Sequence, residues 1–162
     1  MAKTIRELVS ILDQVEIKGD AEKEILAIEH DSRKAGTGTL FAAFVGTRVD
    51  GHDFIPAVAA QGAAAVLVEK DVIAPESVTV IRVPDVREAV QKLAPYFYDY
   101  PARKMRMIGI TGTNGKTTTS YLIRAMLRDA GYKVGLIGTI QIMIEDEVLP
   151  ISNYQGNAVV NY

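Results

Sequence analysis

The sequence contains no cysteine. This absence excludes a disulfide scaffold, a zinc site built on thiolates and a cysteine nucleophile. An excess of positive charge is also missing, since 18 Lys and Arg residues face 20 Asp and Glu residues and the formal net charge is −2. The basic surface of a nucleic-acid-binding protein is therefore absent, and we expect no nucleic-acid partner.

Long apolar runs are missing as well. Lys3, Glu7 and Asp13 interrupt the apolar stretch that a signal peptide would need near the amino terminus. The longest weakly polar stretch, residues 55–68, contains a proline and a glycine and is too short to cross a bilayer. We therefore expect a cytoplasmic protein without membrane insertion. Hydrophobic residues make up 48% of the chain and charged residues 23%, as in ordinary globular proteins.

Helix and strand patterns alternate over the first hundred residues. Apolar positions at helical spacing predict an amphipathic helix over residues 4–14, with Thr4 and Glu7 forming a capping box. Further patterns predict helices over residues 54–61 and from Pro84 for three to four turns, and strands at Ile25–Ile28, Leu40–Val45, Ala63–Val68 and Val78–Val83. This alternation favours an α/β fold with parallel strand pairing.

The pattern breaks at residues 98–104, where Pro101 and a charged pair indicate a linker. A second unit then begins, with a predicted strand over Met105–Ile110, a loop, a helix from about Lys116 to Ala130 and a strand over Val134–Thr139. We predict a small mixed α/β domain over residues 1–100, followed over residues 101–162 by the start of a second domain with a parallel sheet. One βαβ unit leaves its sheet uncovered, so we expect the second domain to be truncated.

The strongest motif lies in this second unit and reads Thr111-Gly112-Thr113-Asn114-Gly115-Lys116-Thr117-Thr118-Thr119. A glycine-rich loop between a strand and a helix predicts phosphate binding, because its backbone N–H groups and the helix N-terminus face one anion. Lys116 would neutralise the β- and γ-phosphates of a nucleotide and is the expected catalytic residue, and the Thr117 hydroxyl would bind Mg²⁺. The general pattern places glycine where this chain has Ile110, so the loop is a subtype. The alternative is a glycine-rich helix entry with a surface lysine.

A second polar cluster, Asp31-Ser32-Arg33, follows a predicted strand. Ser32 can donate and accept hydrogen bonds and Arg33 can pair with phosphate, which suits recognition of uracil and a diphosphate. The alternative is a simple polar turn. His52 could suggest a metal ligand or a base, but the sequence Asp50-Gly51 before it is a turn signal, and we favour a histidine that caps or stabilises that turn.

The run from Ile110 to Thr119 resembles the ATP loop of the Mur ligases, the amide-forming enzymes of peptidoglycan precursor synthesis. The residues over 131–140 look more specifically like those of the MurE type, which adds the third amino acid. Residues 31–63 resemble the UDP-binding first domain that MurE and MurF share.

The resemblance implies an ATP-dependent ligase that joins a diamino acid to UDP-MurNAc-L-Ala-D-Glu through an acyl phosphate. By resemblance, Ser32 and Arg33 contact the UDP-sugar and Asn153 contacts substrate, while ATP is bound by Gly112, Thr113, Asn114, Gly115, Lys116, Thr117 and Thr118. The similarity fails after about residue 152, which suggests a shifted reading frame or a broken gene, and we expect this fragment alone to be inactive. A MurF-like ligase and a non-catalytic remnant that binds a nucleotide or UDP-sugar remain the alternatives.

Overall fold

The computed structural model describes residues 2–47 and 49–149. The chain divides into two compact units, Met1–Lys104 and Met105–Tyr162. The first unit has three helices, α1 (Ile5–Val9), α2 (Ile55–Ala60) and α3 (Val86–Phe97). Its strands are β1 (Lys3–Thr4), β2 (Glu16–Lys18), β3 (Glu24–Ile25), β4 (Ala27–Glu29), β5 (Thr39–Ala42), β6 (Ala65–Val68) and β7 (Thr79–Arg82).

Five strands of the first unit form one sheet in the order β2-β7-β6-β5-β4. The pairs from β4 to β7 are parallel, and β2 joins the edge of β7 in the antiparallel direction. The remaining strands, β1 and β3, pair with each other in a separate antiparallel ribbon. This arrangement confirms the α/β fold with parallel pairing that the sequence predicts.

Both faces of the sheet are covered, which explains why every residue of β5 and β6 is buried. Side chains alternate between the two faces along each strand. Leu40 and Leu67 join the core formed with α1 and α3, whereas Phe41 and Val66 join the core formed with α2. The strands therefore read as continuous apolar runs rather than as alternating patterns.

The helix starts follow the sequence signals closely. The Thr4 hydroxyl accepts a hydrogen bond from the Glu7 N–H, and the Glu7 carboxylate accepts one from the Thr4 N–H, so the capping box is confirmed. The Asp85 carboxylate caps α3 by accepting from the Glu88 N–H. Among the described residues, no helix has the length and apolarity that a membrane-spanning segment requires.

Within residues 105–149, the second unit contains one α-helix and one antiparallel meander. The helix α4 (Lys116–Asp129) is followed by β8 (Gly135–Ile137), β9 (Ile142–Ile144) and β10 (Glu147–Leu149), which pair in the order β10-β9-β8. Gly131, with φ of +84°, ends the helix in the left-handed conformation expected of a glycine at that position.

Several predicted strands and helices differ from the structure. The strand predicted over Met105–Ile110 is wrong: no described strand pairs with this segment, and extended backbone without a partner does not form a ladder. The predicted βαβ unit is also wrong. Its first strand is not formed among the described residues, and its last strand, β8, pairs antiparallel with β9. The strand predicted over Ile25–Ile28 divides at Leu26, whose N–H donates to Gly38, and the helix predicted over residues 4–14 ends at Val9.

Candidate functional site

The loop that precedes α4 is bent by two glycines. Gly112 has φ of +149° and Gly115 has φ of +76°, a region that residues with a side chain rarely adopt. Gly115 occupies the N-cap position of α4, and no side chain caps the helix there. The loop is therefore shaped by its backbone, and the first turn of the helix is left open.

Backbone donors accumulate in this open turn. Within the described part of the chain, the N–H groups of residues 113–118 have no hydrogen-bond acceptor, and the first backbone bond made inside this turn runs from the Thr119 N–H to the Gly115 carbonyl. The helix dipole adds about half a positive charge at the same end. Unpaired donors at a helix N-terminus are suited to bind an anion.

The Lys116 side chain folds back over this loop. Its Nζ atom lies 2.5 Å from the Gly112 carbonyl oxygen and 3.5 Å from that of Thr113. No carboxylate of the described residues pairs with this ammonium group, so its full positive charge lies beside the unpaired N–H groups. The structure thus brings together the predicted loop glycines and the predicted lysine.

Thr117 lies half-buried in the first turn of α4, directly after Lys116. Its hydroxyl makes no hydrogen bond to the described residues and is free to bind a ligand. A single hydroxyl next to a phosphate-binding loop fits Mg²⁺, which keeps most of its ligands from phosphate and water. The donors of this loop therefore fit a nucleoside triphosphate with its metal ion.

In the first unit, the predicted Asp31-Ser32-Arg33 cluster forms a turn just beyond the carboxyl end of β4. The Asp31 carboxylate accepts from the Arg33 N–H at 3.0 Å, from Nε at 2.8 Å and from Nη2 at 2.7 Å. These bonds from Arg33 lower the pKa of Asp31 from 3.8 to about 2. The hydroxyl of the half-buried Ser32 has no partner among the described residues.

The next segment, the 44–51 loop, follows β5 and is closed at its base. Val45 and Asp50 form an antiparallel bridge, and the Gly51 N–H donates to the Phe44 carbonyl at 2.8 Å. A Cβ atom at Gly51 would lie within 2.9 Å of three backbone atoms of residues 43–44, so only glycine fits there. Parallel strands place the ends of β4 and β5 side by side, and ligands of such sheets bind at this edge.

His52 stabilises the base of this loop, in agreement with the prediction of a histidine that stabilises the turn. The ring is buried, its Nδ1 lies 2.6 Å from the Asp50 carboxylate, and its Nε2 accepts from the Glu69 N–H at 3.3 Å. The Nε2 acceptor role assigns the proton to Nδ1. Lys70 pairs with the other Asp50 oxygen at 2.7 Å, and hydrogen bonds from Lys70 and His52 lower the pKa of Asp50.

Sequence reasoning missed two residues at the same edge. The Arg87 guanidinium lies over the Phe44 ring, 5.1 Å from its centroid, and the Phe44 ring lies 6.1 Å from that of His30. The available signals were an aromatic residue directly after a buried strand and an arginine in the first turn of a helix. Asn153, the third predicted substrate residue, lies outside the described residues. No group of three metal-binding side chains occurs within residues 2–47 and 49–149.

Comparisons with known proteins match both units. Residues 24–98 match the model of the Mur ligase family, catalytic domain, and residues 110–160 match that of the Mur ligase middle domain. The UDP-N-acetylmuramoyl-L-alanyl-D-glutamate–2,6-diaminopimelate ligase of Bacillus cereus is 43% identical over 152 residues, covering 94% of this chain and 30% of the relative. The ligase of the same name from Bacteroides fragilis is 43% identical over 147 residues, again 30% of its length.

Solved structures of Mur ligases also match this chain. The structure of a UDP-N-acetylmuramoyl-L-alanyl-D-glutamate–2,6-diaminopimelate ligase superposes with a TM-score of 0.72 and 27% identity, over 98% of this chain and 33% of the other. MurF from Acinetobacter baumannii superposes with a TM-score of 0.66 and 30% identity, over 80% of this chain and 28% of the other. The chain thus spans about 30% of the length of the curated relatives it matches. Because consecutive domains of one family match the two units and the second match contains the glycine-rich loop before α4, the chain belongs to the Mur ligase family.

Proposed function

We propose that this chain carries the UDP-sugar-binding domain, over residues 1–100, and the beginning of the ATP-binding domain, over residues 101–162, of a cytoplasmic ligase. The ligase adds a diamino acid to UDP-MurNAc-L-Ala-D-Glu. The names of the relatives at 43% identity support this substrate. The observation that carries the proposal is the loop before α4, where the N–H groups of residues 113–118 have no acceptor among the described residues and the ammonium group of Lys116 lies on the Gly112 carbonyl.

The residues of this loop have separable tasks. The N–H groups of residues 113–118 bind phosphate oxygens, and Lys116 leaves the Gly112 carbonyl to neutralise the charge that develops on the transferred phosphoryl group. Thr117 holds Mg²⁺ through its hydroxyl. When bound, ATP supplies the phosphoryl group that activates the substrate carboxylate for amide formation.

Replacing Lys116 tests the ATP site. We expect Lys116→Met to weaken Mg-ATP binding by at least about tenfold in calorimetry, because the positive charge that lies on the loop is lost. Lys133→Met is the matched control, since Lys133 is an exposed lysine of the same unit. Equal ATP affinity of the Lys116 variant and the wild type would contradict the assignment of this loop.

A MurF-like ligase is the second candidate, supported by the 30% identity to the MurF structure over 80% of this chain. Titration with UDP-MurNAc-L-Ala-D-Glu and with its diaminopimelate-extended form distinguishes the two. Tighter binding of the shorter substrate supports the first candidate, and tighter binding of the extended one supports the second. We expect no phosphate release by this chain alone, which a phosphate assay with ATP and a diamino acid checks.

A further inference from the structure

Two arginines lie at the carboxyl edge of the first sheet, and their surroundings differ. Arg33 donates three hydrogen bonds to Asp31, two of them from its guanidinium. Its charge is balanced by that carboxylate, and the pKa of Arg33 is raised in consequence. A ligand phosphate that recruited this guanidinium would have to compete with Asp31 and would lie beside a negative charge.

Arg87 has no such partner. Among the described residues no carboxylate lies within ion-pair distance of it, and its one hydrogen bond is a weak contact of 3.5 Å from Nη2 to the Val45 carbonyl. The guanidinium instead lies on the Phe44 ring. A ring holds a cation in place without neutralising its charge, so Arg87 keeps donors available for an anion.

The backbone at Arg87 is fixed on both sides. The Val86 N–H donates to the Glu69 carboxylate at 2.9 Å, and the Glu88 N–H donates to the Asp85 carboxylate at 2.8 Å. The first bond holds the first turn of α3 against the end of β6, and the second caps the helix. The position from which the arginine extends over Phe44 is therefore set before any ligand binds, which reduces the entropic cost of binding.

The contacts of Phe44 link Arg87 to the turn that contains Ser32. Phe44 lies two residues beyond β5, and His30, whose ring contacts it, lies one residue beyond β4 and two before Ser32. We propose that Arg87, held on Phe44, is the guanidinium that binds the diphosphate of the UDP-sugar, and that Arg33 instead fixes the turn that presents Ser32. This assignment rests on the proposed UDP-sugar function of the first unit.

The experiment is a calorimetric titration with UDP, in excess ATP so that the phosphate loop of the second unit is filled. Arg87→Met is expected to weaken UDP binding about 10- to 100-fold, the effect of losing a charge-assisted hydrogen bond to phosphate. Arg33→Met is expected to weaken it less. Arg87→Lys should recover part of the loss, because the charge returns without the planar fork of donors.

A second readout separates a diphosphate contact from a structural role. Uridine, followed by chemical-shift changes in NMR spectra, should bind the wild type and Arg87→Met alike. If Arg87→Met lost affinity for uridine as well as for UDP, Arg87 would merely support the site and the inference would be overturned. Unchanged UDP affinity in Arg87→Met would also overturn it. So would a larger loss of UDP affinity in Arg33→Met than in Arg87→Met. A wild-type chain that binds neither UDP nor UDP-MurNAc-L-Ala-D-Glu would instead refute the proposed function itself.

Discussion

The two units of this chain differ in how much apolar surface they bury. The first encloses its sheet between α1 and α3 on one face and α2 on the other, and Leu40, Leu67 and Phe41 are almost fully buried. In the second unit α4 has no buried residue, and only Leu136 and Ile142 are buried among its described residues. The glycine-rich loop therefore precedes a helix that is held by local hydrogen bonds and ion pairs, whereas the turn that contains Ser32 lies at the edge of a sheet with a packed core.

Local contacts keep the second unit together in place of a core. Arg124 donates to the Glu145 carbonyl, and Arg128 pairs with Asp146 at 2.6 Å, so the turn between β9 and β10 is held against α4. Leu122 and Met126 remain exposed by 60% and 63%. Exposed ion pairs contribute little to stability, so the loop geometry before α4 forms with far less packing than the first unit has.

Amide hydrogen exchange gives the largest expected contrast between the units. We expect the amides of β6 to exchange at least about a thousandfold more slowly, relative to their intrinsic rates, than those of α4, because a packed core opens only with global unfolding. Mass spectrometry of peptides over residues 65–68 and 116–129 measures this. Equal protection of both peptides would contradict the difference in packing between the two units.

A pair of matched leucine substitutions gives the next largest effect. Leu67→Ala removes a fully buried side chain from the central strand and should lower the free energy of unfolding of the first unit by about 2–5 kcal/mol. Leu122→Ala, at an exposed position of α4, should change the free energy of unfolding of the second unit by less than about 0.5 kcal/mol. Urea denaturation of both variants provides the measurement, and a similar cost for both would show that α4 is packed in solution.

Acid titration gives the smallest effect and compares one ion-paired carboxyl group in each unit. The folded-state pKa of Asp31 is about 2 against an ordinary 3.8, so its carboxylate stabilises the fold above that ordinary value. The contribution is lost as the pH falls from about 4 to about 2, and Asp31→Asn should flatten the loss of stability in that window. The pKa of Asp146, lowered by Arg128, provides the counterpart in the second unit. Carboxyl carbon shifts in NMR spectra follow both groups, and a midpoint near 4 for Asp31 would contradict its pairing with Arg33.

Features that depend on residues close together in the chain were predicted correctly from the sequence. The capping box of Thr4 and Glu7, the apolar face of α3 and the glycine at 131 all depend on residues within one or two turns. The edge strand β2 is missing from the prediction because Glu16-Ile17-Lys18 is too short and too polar to show a pattern. The strand expected over Met105–Ile110 shows the opposite error, since its pattern is apolar but the described residues supply no partner strand.

The residues alone were enough to predict the glycine-rich loop before α4, because its glycines, lysine and threonine are adjacent in the chain. It also located Ser32 and Arg33 in a polar turn after a strand. The difference between the two arginines required the folded chain, since it depends on whether a carboxylate or an aromatic ring lies beside each guanidinium. Asp31 is two residues from Arg33, but Phe44 meets Arg87 across 43 positions of chain, and only the folded sheet edge brings those two together.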